Sequence, residues 1–226
     1  MAFTVPLNIP IPASPAIASY NSLDIAEGTG RIAFNLASYR NDGATAYYLT
    51  TDTPYSAYVV ASGAQVAGSS TTRIFNLDFD ITFNRTQNLK GYAYLNLSIG
   101  GTSSVGTGTP SIFISGGSLQ NATQGTTLTS IGKLDNQALD LSVPSVGTHS
   151  KTINLRLDLT GGPYTIAPNE TLRLNLQLWG NTTGTSGISH GGIGVDPQDR
   201  NDPDGDTIED TVTTKAILNL PVLNNQ

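Results

Sequence analysis

The sequence predicts an all-β protein: an antiparallel two-sheet sandwich, jelly-roll-like, preceded by an extended N-terminal arm. Three observations carry that reading. Apolar and polar residues alternate with a period of two in five separate segments. Clusters of Gly, Asn, Ser and Pro separate those segments, and no stretch keeps a helical period over three turns. Composition agrees: only 12% of the 226 residues are charged, and the polar surface is built from Thr, Ser and Asn. Such residues suit exposed strand faces, where Thr fits the pleat better than Lys or Glu.

Taken in order, "VPLNIPIPASP" at 5–15 holds Pro6, Pro10, Pro12 and Pro15. Proline fixes φ and removes a donor, so this stretch is expected to be extended and outside any sheet interior. Residues 1–19 are read as an arm and 20–226 as a single sandwich domain. Ile9, Ile11 and Ile17 would let the arm bury itself along a neighbouring subunit; a flexible terminus is the alternative. Segments 31–38, 45–51 and 56–66 are weaker strand candidates. Then comes "RIFNLDFDITF", with Phe75, Leu77, Phe79, Ile81 and Phe83 on one side and Asn76, Asp78, Asp80 and Thr82 on the other. Ala93, Leu95, Leu97 and Ile99 repeat the pattern. After weaker candidates at 111–115, 126–131 and 138–143, it recurs at Ile153, Leu155, Leu157 and Leu159, and at Leu172, Leu174, Leu176 and Leu178. Ala216, Leu218, Leu220 and Val222 close the series. A one-residue slip would bury the polar set, so each register is fixed. Turns are expected at "NDG" 41–43, "GGTSSVGTGTP" 100–110, "GGP" 161–163 and "NTTGTSG" 181–187. About ten strands with one wet face each imply two sheets face to face.

Several chemistries are excluded or unsupported. With no cysteine there is no disulfide, thiolate metal site or cysteine nucleophile. The start "MAFTVPLNIPIPASP" does not read as a signal peptide, no apolar run is long enough to span a membrane, and no basic stripe suggests nucleic acid. His149 and His190 are the only histidines, both in expected loops, and no nucleophile elbow is present. Asp78 and Asp80 share a strand face roughly 6–7 Å apart, a spacing better suited to a wet face than to a glycosidase pair. No enzyme is expected.

One segment stands apart. "DPQDRNDPDGDTIED" at 196–210 carries seven acids against Arg200, while the rest of the chain balances ten acids with ten cations. The whole formal charge of −6 therefore sits here. Asp202-Pro203-Asp204-Gly205-Asp206-Thr207-Ile208-Glu209-Asp210 resembles the loops of thrombospondin-type calcium repeats. That resemblance implies calcium held by Asp202, Asp204, Asp206 and Asp210 with the backbone near Ile208. Calcium takes six to eight oxygen ligands, which alternate carboxylates on a tight loop supply. Thr207 stands where those loops carry a second glycine, and Thr213 where a late acid would fall. A solvated acidic loop and a contact to a basic partner are the other readings.

The segments "PAIASYNSLDIAEGTGRIAFNLASYRNDGATAYYLTTDTPYS" and "TTKAILNLPVLNNQ" resemble accessory structural proteins of tailed bacteriophages and similar viruses. The resemblance implies a capsid decoration or minor capsid protein on the virion surface, made in the host cytoplasm. Its partners would be the major capsid protein or other virion subunits, and it would form a homo-oligomer, with a trimer favoured. Tyr39, Tyr47, Tyr48, Tyr55 and Tyr58 are five of the nine tyrosines. They read equally as an interface patch or a core corner. The same tyrosines support the alternative, a carbohydrate- or receptor-binding head of a fibre or adhesin. On the calcium reading, a chelator lowers the melting temperature of the chain and removes a bound metal seen by equilibrium dialysis. An unchanged midpoint with no metal bound removes that reading.

Overall fold

The computed structural model describes residues 29–41, 44–57, 60–63, 66–104, 107–134, 137–142, 148–198 and 215–223. The arm with Ile9 and Ile11, Tyr58, and the proposed calcium ligands Asp202, Asp204, Asp206, Ile208 and Asp210 lie outside the described residues. Among the described residues the protein is all-β, with no α-helix. The strands are β1 (Thr29–Asn41), β2 (Ala44–Thr50), β3 (Val60–Gly63), β4 (Val66–Ala67), β5 (Ser70–Thr82), β6 (Gln87–Ser104) and β7 (Ser111–Asn121). They continue as β8 (Thr126–Ser130), β9 (Leu139–Asp140), β10 (Thr148–Ile166), β11 (Thr171–Thr182), β12 (Gly187–Gly194) and β13 (Ile217–Leu223).

Hydrogen bonding follows the order β3-β12-β6-β13-β1-β2-β5-β11-β7-β8, with β10 on the other side of β6. The expected two sheets are thus continuous. Every strand pair is antiparallel except β2 and β5, joined in parallel by the short ladder Tyr47↔Phe79 and Tyr48↔Asp80. At that seam the path turns back, so β10, β6, β13 and β1 face β5, β11 and β7 across one core. Phe34 on β1 meets Phe83, just past β5, edge-on at 6.1 Å.

The alternating segments account for that core. Ala93, Leu95, Leu97 and Ile99 on β6 lie beside Leu157, Leu155, Ile153 and Lys151 on β10 in strict register. The apolar members of those pairs are fully or nearly fully buried. On β11, Leu172, Leu174, Leu176 and Leu178 are all buried, flanked by β5 and β7. A buried leucine contributes roughly 1.5–3 kcal/mol relative to an exposed one. The alternation of β5 is broken once. A bulge opposite Leu178/Trp179 lets Ile74 enter the core, while Phe75 and Leu77 pack against it only in part.

Four expectations are corrected. His149, expected in a loop, and "GGP" 161–163, expected as a turn, both lie within β10. Residues 100–104, expected in a turn, extend β6, and the glycine-rich stretch 187–194, expected as a loop, is β12. The two pair with each other, Gly100↔Gly192 and Gly101↔Gly191. Glycine there is a packing requirement: a Cβ on Gly191 would come within 2.6 Å of Ile74 Cδ1.

Side chains seal the places where ladders end. Gln137 treats the outer edge of β10 as a strand would: its Nε2 donates to Asn154 O (3.0 Å), and its Oε1 accepts from Asn154 N–H (3.1 Å). The Glu170 carboxylate accepts from Ala167 N–H (2.7 Å), Asn121 Nδ2 (2.8 Å) and Gln124 Nε2, and these bonds hold its pKa below the usual range. At the opposite end, Thr107-Gly108-Thr109 meets Thr183-Gly184-Thr185. Thr107 N–H donates to Thr185 Oγ1 (3.1 Å), Thr109 N–H to Thr183 Oγ1 (2.9 Å), and Thr185 N–H to Thr107 O (2.9 Å). Gly108 and Gly184 have φ of 139° and 66°, and an added Cβ would overlap Thr183 O and Thr107 O. Gly108→Ala or Gly184→Ala therefore costs roughly 2–3 kcal/mol and lowers the melting temperature by roughly 4–12 °C. Thermal melts of the two variants check this.

Candidate functional site

The exposed residues of β6 that alternate with its buried set include Tyr92, Tyr94 and Asn96. Tyr92 and Tyr94 are 37% exposed each, among the few large apolar side chains that stay at the surface. Their surroundings follow from register. Across β10, Tyr94 lies beside Arg156 and Tyr92 beside Asp158. Across β13, Tyr94 lies beside Asn219, and β1 then places Ala33 next to Asn219 and Arg31 next to Pro221.

Arginines approach the two rings from opposite strands. Arg31 Cζ lies 4.7 Å from the centroid of Tyr94, and Arg156 Cζ lies 4.7 Å from that of Tyr92. Arg31 reaches Tyr94 diagonally across β13, past the small side chain of Ala33. A guanidinium on a phenol face is attracted by the ring quadrupole and spreads its charge over a flat surface. Next to this cluster, Asn96 Nδ2 donates to Asn154 Oδ1 (2.7 Å). The result is a flat patch of two tyrosines, two arginines and three amides across β10, β6, β13 and β1.

The opposite outer face, on β5 and β11, is closed electrostatically. Arg173 grips Asp80 with both Nε and Nη2 (2.7 Å each), and its Nη1 lies 3.0 Å from Asp78. Asn175 Nδ2 adds a bond to Asp78 (2.6 Å). The hydrogen bond to Asp80 and the charges of both acids push the Arg173 guanidinium further up. The shared strand face read from the sequence is therefore an ion cluster in which one guanidinium bridges two carboxylates.

The remaining candidates are placed as follows. Tyr47 points to the core, its ring 5.4 Å from Phe79. Tyr48 stands edge-on to Tyr39 at 5.4 Å, and burial, then the charges of Asp52 and Tyr39, push its hydroxyl pKa up. Tyr55 is 72% exposed. Tyr39, Tyr47, Tyr48 and Tyr55 thus divide between a core corner and the surface. His190 is exposed on β12, and the Nε2 of His149 is buried without a hydrogen-bond partner. Ser142 donates its Oγ–H to Asp140 (2.5 Å). Together with the Ser142 N–H, that bond pulls Asp140 below the usual carboxylate range.

Of the acidic segment, Asp196 is fully buried. Its Oδ1 accepts from Ser56 N–H (3.4 Å) and Gln198 N–H (3.2 Å), while Ser56 Oγ–H donates to Val195 O (2.6 Å). The first of the seven acids therefore ties the segment to loop 51–57. No group of three or more metal-ligating side chains occurs among the described residues.

No protein-family model matches this chain, and no curated protein matches it either. Solved structures with partial likeness include an aminopeptidase from a marine sediment archaeon, Thaumarchaeota archaeon. It has a TM-score of 0.39 and 8% identity, over 84% of this chain and 37% of that one. Infectious bursal disease virus strain Gx gives 0.31 and 11%, over 82% and 40%. A carbohydrate-binding module of the β-sandwich superfamily gives 0.28 and 10%, over 75% and 73%. The chain spans about two fifths of the length of the first two structures. All three scores lie below 0.5, too low to assign a common fold.

Missing from the sequence reading was the pair Tyr92 and Tyr94. The signal was present in "GYAYLNLSIG", where two aromatic rings occupy wet positions of an alternating strand. The Arg173 cluster yields a prediction. Arg173→Ala leaves two like charges on neighbouring positions and lowers stability by about 1 kcal/mol, a modest figure because the groups are solvent-screened. Added Asp78→Asn and Asp80→Asn changes recover part of it, as urea titrations at low and high salt would read.

Proposed function

We propose that this chain is a non-catalytic structural subunit, a capsid decoration or minor capsid protein held on the surface of a virion. The observation that carries this reading is the Arg31–Tyr94/Tyr92–Arg156 patch. Tyrosine and arginine dominate the energetic centres of protein interfaces, because each covers area at little entropic cost and keeps polar atoms at its rim. Here they sit on a rigid sheet rather than on a loop, which suits a contact that must hold a fixed orientation.

Other features support the same reading. The surface is poor in Lys and Glu and rich in hydroxyls and amides, which lowers the desolvation cost of a large contact. The proline-rich N-terminal segment provides a second means of attachment. The rival reading, a carbohydrate- or receptor-binding head, uses the same tyrosines in another way.

A combined Tyr92→Ala and Tyr94→Ala variant that keeps the wild-type melting temperature separates the two. Its association with the particle fraction of producing cells falls at least about tenfold, the cost of losing an aromatic anchor. Unchanged particle association, together with tyrosine-dependent retention of the chain on a neutral glycan array, assigns it to the rival.

A further inference from the structure

We infer that the face between Arg31 and Arg156 receives a carboxylate-bearing segment of another protein, a step that rests on the docking reading above. Three of the strand arginines, Arg173, Arg31 and Arg156, differ in what they meet. Arg173 spends its N–H groups on Asp78 and Asp80. Arg31 and Arg156 rest flat on Tyr94 and Tyr92, and among the described residues neither makes a hydrogen bond or an ion pair within 4 Å. Stacking of this kind orders a guanidinium without using its N–H fork. A fork left open and pre-oriented matches a carboxylate, which it can bind through two parallel hydrogen bonds.

Among the described residues no acid forms an ion pair with either guanidinium. Asp158, two residues from Arg156 and beside Tyr92, turns Oδ1 to the N–H (2.8 Å) and Oγ–H (2.6 Å) of Thr160. These bonds, before any effect of Arg156, hold its pKa low. The two guanidinium groups make this face complementary to an acidic partner and not to a basic one.

The ring faces favour protein over sugar as the source of the carboxylate. A pyranose binds tyrosine by stacking on an open ring face, and one face of each ring is already covered by a guanidinium. The two arginines stand on β10 and β1, three strand spacings or about 14 Å apart, and lean toward each other. An extended segment crossing these strands advances about 3.4 Å per residue. Two acidic side chains two to four residues apart would reach both forks.

The test uses the full chain with three probes: an octaglutamate peptide, an octaglutamine peptide and a uronic-acid oligosaccharide. Expected are binding of octaglutamate alone, weakening as sodium chloride rises, and a loss of tenfold or more in a combined Arg31→Ala and Arg156→Ala variant. Arg31→Lys with Arg156→Lys keeps the charge but not the flat fork, and recovers only part of the affinity. Arg173→Ala serves as a control and leaves binding unchanged. Equal or tighter binding of the uronate, or octaglutamate binding indifferent to Arg31 and Arg156, overturns the inference. Failure of octaglutamate to bind, while the Tyr92/Tyr94 variant still loses particle association, sinks the carboxylate step and leaves the docking reading standing. Particle association that ignores the tyrosines sinks both.

Discussion

Leu95 on β6 lies beside Leu155 on one side and Leu218 on the other, and all three are buried. The rest of the molecule depends on that alternation. Because successive side chains point to opposite faces, burying Leu95, Leu97 and Ile99 forces Tyr94 and Asn96 outward, with no intermediate arrangement available. The same rule on β10 raises Arg156 and Asp158 to the surface, and on β1 it raises Arg31 and Ala33. A shift of one residue in β10 or β1 would bury a guanidinium and expose a leucine. The outer patch is thus held in place by the core beneath it.

Continuity of the sheet adds a second constraint. An open sheet of this size has free edges that invite association with other chains. The seam between β2 and β5 removes one pair of edges, and the far sides are managed by side chains. Gln137 caps Asn154 on β10, and Asp158 occupies the N–H of Thr160 on the same strand. Beyond them β10 breaks register between Leu159 and Tyr164. With the edge blunted in this way, the broad face of the sheet is left more open to association than this edge is.

Much of the fold was legible in the sequence because its strongest signal, period-two alternation, is local. Segments 153–159 and 172–178 needed no knowledge of their neighbours. What escaped were features decided by contact between distant segments. β12 has no alternation to read, since Gly187, Gly191, Gly192 and Gly194 leave little for a pattern to act on. Their role appears only when Ile74 is brought against Gly191. The buried position of Ile74 itself comes from a bulge that its partner strand dictates. The patch was half legible. Two tyrosines at wet positions could have been noticed, but Arg31 and Arg156 lie far from them in sequence, and only the pairing of β10, β6, β13 and β1 assembles the four.

Why the two faces behave so differently comes down to what lies across the ladder from each arginine. Asp80 is the register partner of Arg173, with Asp78 one position further along the same face. Arg173 therefore closes a self-sufficient cluster that offers little to a partner. Arg156 has Tyr94 across from it, and Arg31 has Pro221. Neither neighbour can neutralise a charge, and the nearest favourable surface for each guanidinium is an aromatic ring on a diagonal. A tyrosine face attracts a cation more weakly than a carboxylate does, and it leaves the N–H donors unspent. The same residue type thus yields a satisfied surface on one layer and an open one on the other, and the difference is set by strand register alone.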